Sequence, residues 1–290
     1  MLPSLDALPR KIVVVGGGGP ATEYVDALNR LGSDVTWLPG PGGILPFFQV
    51  DAVKILVNDL TRRGVRIANR MSVQAILREK DQVVAITQDH QRFHAPKALV
   101  SVGYLPDLER LKLPAMGLRT NLSGGLDVDE YCRTKIPSIY AIGDAVQPMS
   151  VNVAMSQGHV AGSHAAGVQT EPFHFKYMVI GIYTQPEIAQ IGAIKTGSGN
   201  FRSSRVSYRD CLKSHLGDPI NGFVEIIHDP GGSIVGGVAV GSQANEILAP
   251  LAIAIKMKAK VDDLSALYAS HPTLGELVFM AARRATEKKI

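Results

Sequence analysis

The chain has 290 residues, 46% apolar and 19% charged, with 29 glycines, which is enough for more than one core and excludes a disordered or fibrous protein. Its formal charge of +4 comes from scattered Lys and Arg without a basic stripe among aromatics, so nucleic acid is not an expected partner; Arg283-Arg284 with Lys288-Lys289 reads as a solvated helix end. Two distant cysteines (Cys132 and Cys211), no apolar run near the roughly 20 residues of a membrane span, and no signal-like N-terminus predict a cytoplasmic protein with reduced thiols and no membrane partner.

Lys11–Val15 reads as a buried strand that runs into four glycines, Gly16 to Gly19. Ala21, Tyr24, Val25, Leu28 and Leu31 then recur at helical spacing behind Pro20, Gly32 ends the helix, and Asp34–Leu38 is the next strand. Strand, glycine turn, helix, strand is the opening unit of a dinucleotide-binding fold. Glycines let the backbone turn tightly and let N–H groups approach a pyrophosphate at the helix N-terminus. Gly16-x-Gly18-x-x-Ala21 fits the pattern, and Gly17-x-Gly19-x-x-Thr22 fits it less well, so Gly16, Gly18, Gly19 and Ala21 are the expected cofactor-binding residues. The alternative is a tight packing turn without a ligand. Pro39-Gly40-Pro41-Gly42-Gly43 offers neither the Asp or Glu that contacts a ribose nor an Arg for a 2′-phosphate. A charge-assisted contact worth roughly 1.5–3 kcal/mol has no protein partner there, so the stretch does not choose between NAD and NADP.

Ala52, Val53, Leu56, Val57 and Leu60 predict an amphipathic helix, followed by a strand at Val65–Ile67, a period-two stretch from Val73 to Phe93 turning near Lys80-Asp81, and a strand over Lys97–Gly103. Tyr140-Ala-Ile-Gly-Asp144 reads as a strand whose closing Gly143-Asp144 puts a carboxylate where sugar or ribityl hydroxyls bind. A helix rich in small residues follows over Val153–Gly167. Strands are expected at Met178–Tyr183, Arg205–Tyr208, Gly222–Ile227 and Ser233–Val240, and helices at Asn245–Lys258 and Leu274–Glu287. Ile247, Leu248, Leu251, Ala252 and Ile255 are read as a subunit interface. The seven histidines other than His271 show no metal-ligand spacing, and no metal is expected.

Val13–Glu23, Tyr140–Asp144, Tyr183-Thr-Gln-Pro-Glu187 and His271-Pro-Thr-Leu-Gly-Glu276 together resemble the pyridine nucleotide-disulfide oxidoreductases, the flavoprotein family of dihydrolipoamide dehydrogenase and related quinone reductases. The resemblance runs nearly end to end. It implies an α/β chain with a Rossmann-like NAD(P)-binding domain at 8–116, the residual half of a flavin domain at 117–172, and an α+β dimerisation domain at 173–290. It also implies a homodimer, a flavin contact at Asp144, a role for Glu23 near the flavin–nicotinamide contact, and His271 with Glu276 as an acid–base dyad. A Glu paired to an imidazole sets its tautomer and gives a base or acid near neutral pH, and Pro272 is expected to hold His271 extended and projecting.

No stretch corresponds to the family's N-terminal flavin domain or its pair of cysteines four residues apart, so FAD and the thiol–disulfide relay are not expected of this chain alone. Three readings stand. In the first, an NAD(P)-linked oxidoreductase passes hydride to a loosely held flavin, a small-molecule substrate or a separate flavin-domain chain. In the second, the dimer uses His271, Glu276 and a vacated flavin cavity for an isomerase, cyclase or lyase reaction. In the third, the protein is a non-catalytic dimeric binder.

Overall fold

The computed structural model describes residues 7–146, 150–194, 200–217 and 221–287. They form two compact units: residues up to Gly103 together with those from Gly181 onward, and Tyr104–Ile180.

The first unit begins β1 (Lys11–Val15), α1 (Gly19–Arg30), β2 (Asp34–Leu38), α2 (Val50–Arg62) and β3 (Arg66–Ile67). Ile12–Val15 is an unbroken buried run, as a parallel strand covered on both faces requires. α1 turns Ala21, Val25 and Leu28 inward and α2 turns Ala52, Leu56 and Leu60 inward, each at the helical period read from the sequence. The Gln49 side chain caps α2 by accepting from Ala52 N–H at 2.9 Å. β4 (Val73–Glu79), β5 (Gln82–Thr87) and β6 (Arg92–Ala95) make an antiparallel meander, and β7 (Lys97–Val100) returns to give a parallel sheet ordered β3-β2-β1-β7.

The same unit continues with β8 (Ile180–Ile182), β9 (Glu187–Gly192), β10 (Arg202–Ser207), β11 (Phe223–His228) and β12 (Ile234–Gly241), in a sheet ordered β10-β11-β12-β9-β8. This α/β architecture with separate parallel and antiparallel sheets is the expected one. β9 is an addition to the predicted strands. After α3 (Val151–Ala165) of the second unit, α4 (Ala244–Lys256), α5 (Val261–Ser265) and α6 (Glu276–Thr286) close the chain.

Two expectations are corrected here. Ile247, Leu248, Leu251 and Ile255 do not form a subunit interface: they are buried, and α4 packs them onto β12 and β9. Gly237 makes this close approach possible, since a Cβ there would lie 2.4 Å from Leu251 Cδ1. The face of α4 left open carries Ile253 and Met257, and Ala252 is only half-buried. The described part of the terminal basic cluster is not simply solvated either. Arg284 donates to Arg205 O at 2.9 Å, and Arg283 donates to Leu267 O at the same distance; Lys288 and Lys289 lie outside the described residues.

One core joins the parallel and the five-stranded sheets of this unit: Val25, Leu28, Trp37 and Leu56 belong to the same buried cluster as Ile182, Ile188, Phe223 and Val240. A polar seam runs along it. Arg205 bonds Asp51 of α2 and the buried Glu225 of β11, and lies 3.9 Å over the Phe223 ring. Gln190 of β9 donates to Phe47 O and accepts from Gln49 N–H. Each buried polar group in this seam has a partner, which keeps its desolvation from becoming a net penalty.

In the second unit, α3 (Val151–Ala165) follows a small core of Leu108, Leu113, Leu118, Leu126 and Ala141. The strand expected to end in Gly143-Asp144 is not formed. Tyr140 makes a single bridge to Arg133, and Gly143–Ala145 is a 3-10 turn, because a strand needs a ladder of backbone partners and this stretch has one. Among the described residues, no helix is long and apolar enough to cross a membrane.

Cys132 and Cys211 are free and buried, and burial, with a smaller contribution from Asp129, pushes the Cys132 thiol up to about 11. A thiol-specific aromatic disulfide reagent at neutral pH is expected to label neither cysteine in the folded chain and both after denaturation; rapid native labelling of Cys132 would contradict its placement.

Candidate functional site

The glycine turn sits at the C-terminal edge of the parallel sheet, between β1 and α1. Gly16 has φ +124°, and a Cβ there would lie 2.0 Å from Ser101 O; at Gly17 a Cβ would lie 2.0 Å from Gly43 O. These glycines are required by backbone packed on backbone. The turn is held from three sides: Gly16 N–H donates to Leu38 O at 2.9 Å, Trp37 Nε1–H to Gly16 O at 2.7 Å, and Leu45 N–H to Gly17 O at 2.8 Å.

Gly18 is different. It is the N-cap of α1 with φ −76°, no side chain caps the helix there, and a Cβ would meet nothing within 4 Å. The first turn of α1 carries no acidic residue, and among the described residues the N–H groups of Gly17, Gly18 and Gly19 have no hydrogen-bond partner. Unpaired N–H groups at the positive end of a helix dipole, with open space before them, fit a phosphate. Gly19 faces Ile182, whose Cδ1 would stand 2.9 Å from a Cβ, and Ala21 is fully buried, so its part is packing α1 onto the sheet.

Glu23 lies on the first turns of α1, and its Oε1 accepts from Tyr183 N–H at 2.9 Å. It therefore ties α1 to the strand that ends at Ile182, and Tyr183 stands 71% exposed beside it. Tyr183 belongs to a matched motif but has no chemistry legible in sequence, because the contact uses its backbone.

His271 and Glu276 are brought together. Nδ1 of His271 lies 3.0 Å from Glu276 Oε2, while Oε1 accepts from Thr273 N–H at 2.8 Å. Glu276 is the first residue of α6, where a carboxylate is favoured by the helix dipole. The His271 hydrogen bond first, then the Thr273 N–H, hold its carboxyl below the ordinary 4.5. An ionised carboxylate only accepts, so His271 carries its proton on Nδ1 and leaves Nε2 free to take or give one. The His271–Pro272 peptide is cis, and the imidazole is 63% exposed.

In the second unit, Asp144 lines a cavity of about 520 Å³ with Tyr104, Ile142, Ser150 and Met155. Desolvation, then the Asp144 carboxylate, raises the Tyr104 phenol. Gly143 has φ +61°, and its N–H donates to the buried Gln157 Oε1 at 2.8 Å, which aims the turn that carries Asp144.

Two outcomes test this geometry. Gly16→Ala is expected to lower stability by more than about 1 kcal/mol in denaturant unfolding, since its backbone conformation and its space both exclude a methyl; an unchanged midpoint would contradict the turn. The Glu276 carboxyl, followed by ¹³C NMR, is expected to titrate below 4.5. Its contact with His271 contributes stability that is present above the unfolded-state pKa and lost as pH falls through the lowered folded one. A midpoint at or above the ordinary value would mean the pair does not form.

The model of the pyridine nucleotide-disulphide oxidoreductases matches residues 2–158, and that of their dimerisation domain matches residues 178–282. The chain is 31% identical over 286 residues to the NAD(P)H dehydrogenase (quinone) of Mycobacterium tuberculosis, covering 97% of this chain and 58% of that protein. It is 30% identical over 298 residues to the dihydrolipoyl dehydrogenase of Haloferax volcanii, covering 98% and 62%. The crystal structure of LpdA from M. tuberculosis superposes with a TM-score of 0.94 at 31% identity, over 99% of this chain and 64% of that one. The chain thus spans about three-fifths of the length of the relatives it matches. The flavoprotein disulfide reductase RclA from Escherichia coli shares the fold at 18% identity, with a TM-score of 0.87.

Proposed function

Because the chain belongs to the pyridine nucleotide-disulphide oxidoreductase family, we propose that it is an NAD(P)-linked oxidoreductase acting as a homodimer, with a nucleotide site at the glycine turn and an acid–base pair at His271 and Glu276. The domain division that goes with this reading is 8–116 for the nucleotide, 117–172 for a flavin-type half-site, and 173–290 for dimerisation. The observation that supports it is the uncapped N-terminus of α1, where Gly18 borders open space and, among the described residues, the N–H groups of Gly17, Gly18 and Gly19 have no partner.

A bound NAD(P)H would supply a hydride. Gly17, Gly18 and Gly19 would hold its pyrophosphate through backbone N–H groups, and Gly16 and Ala21 keep turn and helix in place. Glu23 holds the Tyr183 strand end against α1. His271 exchanges a proton at Nε2 while Glu276 fixes the ring through Nδ1. The cavity around Asp144, with Ser150 and Tyr104 in its wall, suits a hydroxylated chain such as the ribityl of a flavin. The M. tuberculosis relative is named for a quinone, which makes a quinone the acceptor to try first.

The test is calorimetric titration of the full chain with NADH and with NADPH, beside Gly18→Ala and His271→Ala. At least one nucleotide is expected to bind the parent chain. Gly18→Ala, which has space for its methyl, is expected to keep the fold and weaken binding at least tenfold, equivalent to about 1.4 kcal/mol. His271→Ala is expected to bind nucleotide normally and lose quinone-linked turnover. Binding of neither nucleotide would overturn the reading.

A further inference from the structure

His271 stands on a long segment between α5 and α6 that has little apolar anchoring of its own. Leu267 is 52% exposed and Tyr268 80%. An exposed loop does not hold an imidazole to the tolerance that proton transfer needs unless something ties it down. Its far arm is tied by Thr273, whose Oγ1 donates to Ser270 O at 2.7 Å and whose N–H donates to Glu276; Cys211 Sγ donates to Thr273 O at 3.4 Å.

The near arm is tied by Arg283. Its Nη1 donates to Leu267 O at 2.9 Å and to Ser265 O at 3.4 Å, and its guanidinium carbon lies 4.5 Å from the centre of the Tyr268 ring. Arg283 stands on α6 seven residues after Glu276, about two turns along the same face. One helix therefore grips both arms of the segment, the carboxylate at its start and the guanidinium further down. One Nη1 reaches both carbonyls while the flat guanidinium covers the ring, a combination that the compact, non-planar ammonium of Lys does not reproduce.

We propose that Arg283 is a positioning residue for the His271–Glu276 pair: by clamping Ser265, Leu267 and Tyr268 to α6 it sets where His271 stands. The proposal rests on the acid–base reading of the pair for its catalytic consequence, but not for its structural one. The Arg283 clamp acts through the backbone, so it leaves nucleotide binding at the glycine turn untouched.

The experiment uses the full chain with Arg283→Ala, Arg283→Lys and Tyr268→Leu, each checked by circular dichroism and thermal unfolding. The first readout is the ¹⁵N spectrum of the His271 ring. The parent chain is expected to hold the tautomer protonated at Nδ1, whereas Arg283→Ala moves the ring to the mixture of a free histidine. Arg283→Lys and Tyr268→Leu fall between. The second readout is NAD(P)H–quinone turnover: Arg283→Ala is expected to lower kcat at least tenfold with the nucleotide KM unchanged, and Arg283→Lys to recover part of it. A folded Arg283→Ala that keeps the parent tautomer overturns the proposal. If Arg283→Ala does not fold, Tyr268→Leu and Arg283→Lys decide it, and parent-like spectra from both overturn it. Full turnover in His271→Ala would instead overturn the acid–base reading, while the ring spectrum still decides the role of Arg283.

Discussion

The glycine edge of the parallel sheet depends on one constraint: three backbone segments meet there with no room for a side chain between them. The carbonyl of Ser101 reaches the α-carbon of Gly16, and the carbonyl of Gly43 reaches that of Gly17. Those approaches bring the ends of β1 and β7 and the loop after β2 into a single plate beneath α1. They also spend the carbonyls of Gly16 and Gly17 on Trp37 and Leu45, and the N–H of Gly16 on Leu38 O, while among the described residues the N–H groups of Gly17, Gly18 and Gly19 stay unspent. The electropositive opening is thus a by-product of how tightly the rest is packed. A looser turn would let side chains or neighbouring carbonyls satisfy those donors.

The His271–Glu276 pair uses the same element differently. At α1 the helix start is open and uncharged, whereas at α6 it begins with Glu276, whose two oxygens are already engaged by Thr273 and His271. An open start favours an anion from outside, and a filled one fixes an anion of the chain's own. Two helix N-termini in one unit therefore do opposite work, decided by whether the first residues are glycines or a glutamate.

Much of this was legible in residue order. Buried β1, the glycine turn, the inward stripes of α1 and α2 and the meander after β3 follow from local pattern, since each buries a face its own sequence defines. The pairing of His271 with Glu276 follows from the family resemblance of that stretch, and the two side chains stand 3.0 Å apart. What escaped depended on contacts across long separations. The stripe on α4 is as apolar as an interface would be, but only Gly237 and Leu251 together show that it faces its own sheet. The strand expected to end at Asp144 has a suitable sequence and only one ladder partner. Arg283 looked like surface charge because its acceptors are carbonyls of residues 265 and 267, and carbonyls leave no trace in composition. β9 was hidden in a short run, Ile188 to Ile191, that periodicity cannot separate from its flanks.

The shared core of the first unit has a consequence for how the chain is made. Its parallel sheet is complete once residue 103 has been synthesised, yet Val25, Leu28 and Leu56 pack in the same cluster as Ile188, Phe223 and Val240. At roughly 5–20 residues per second, the second half of that cluster leaves the ribosome on the order of ten seconds after the first. Through that interval all of Tyr104–Ile180 must emerge and the nascent N-terminal segment carries an uncovered apolar side. The loop to be closed is long, and its entropy has to be met before the late strands return any packing. The late strands therefore cover an apolar side that the early ones have already presented to water.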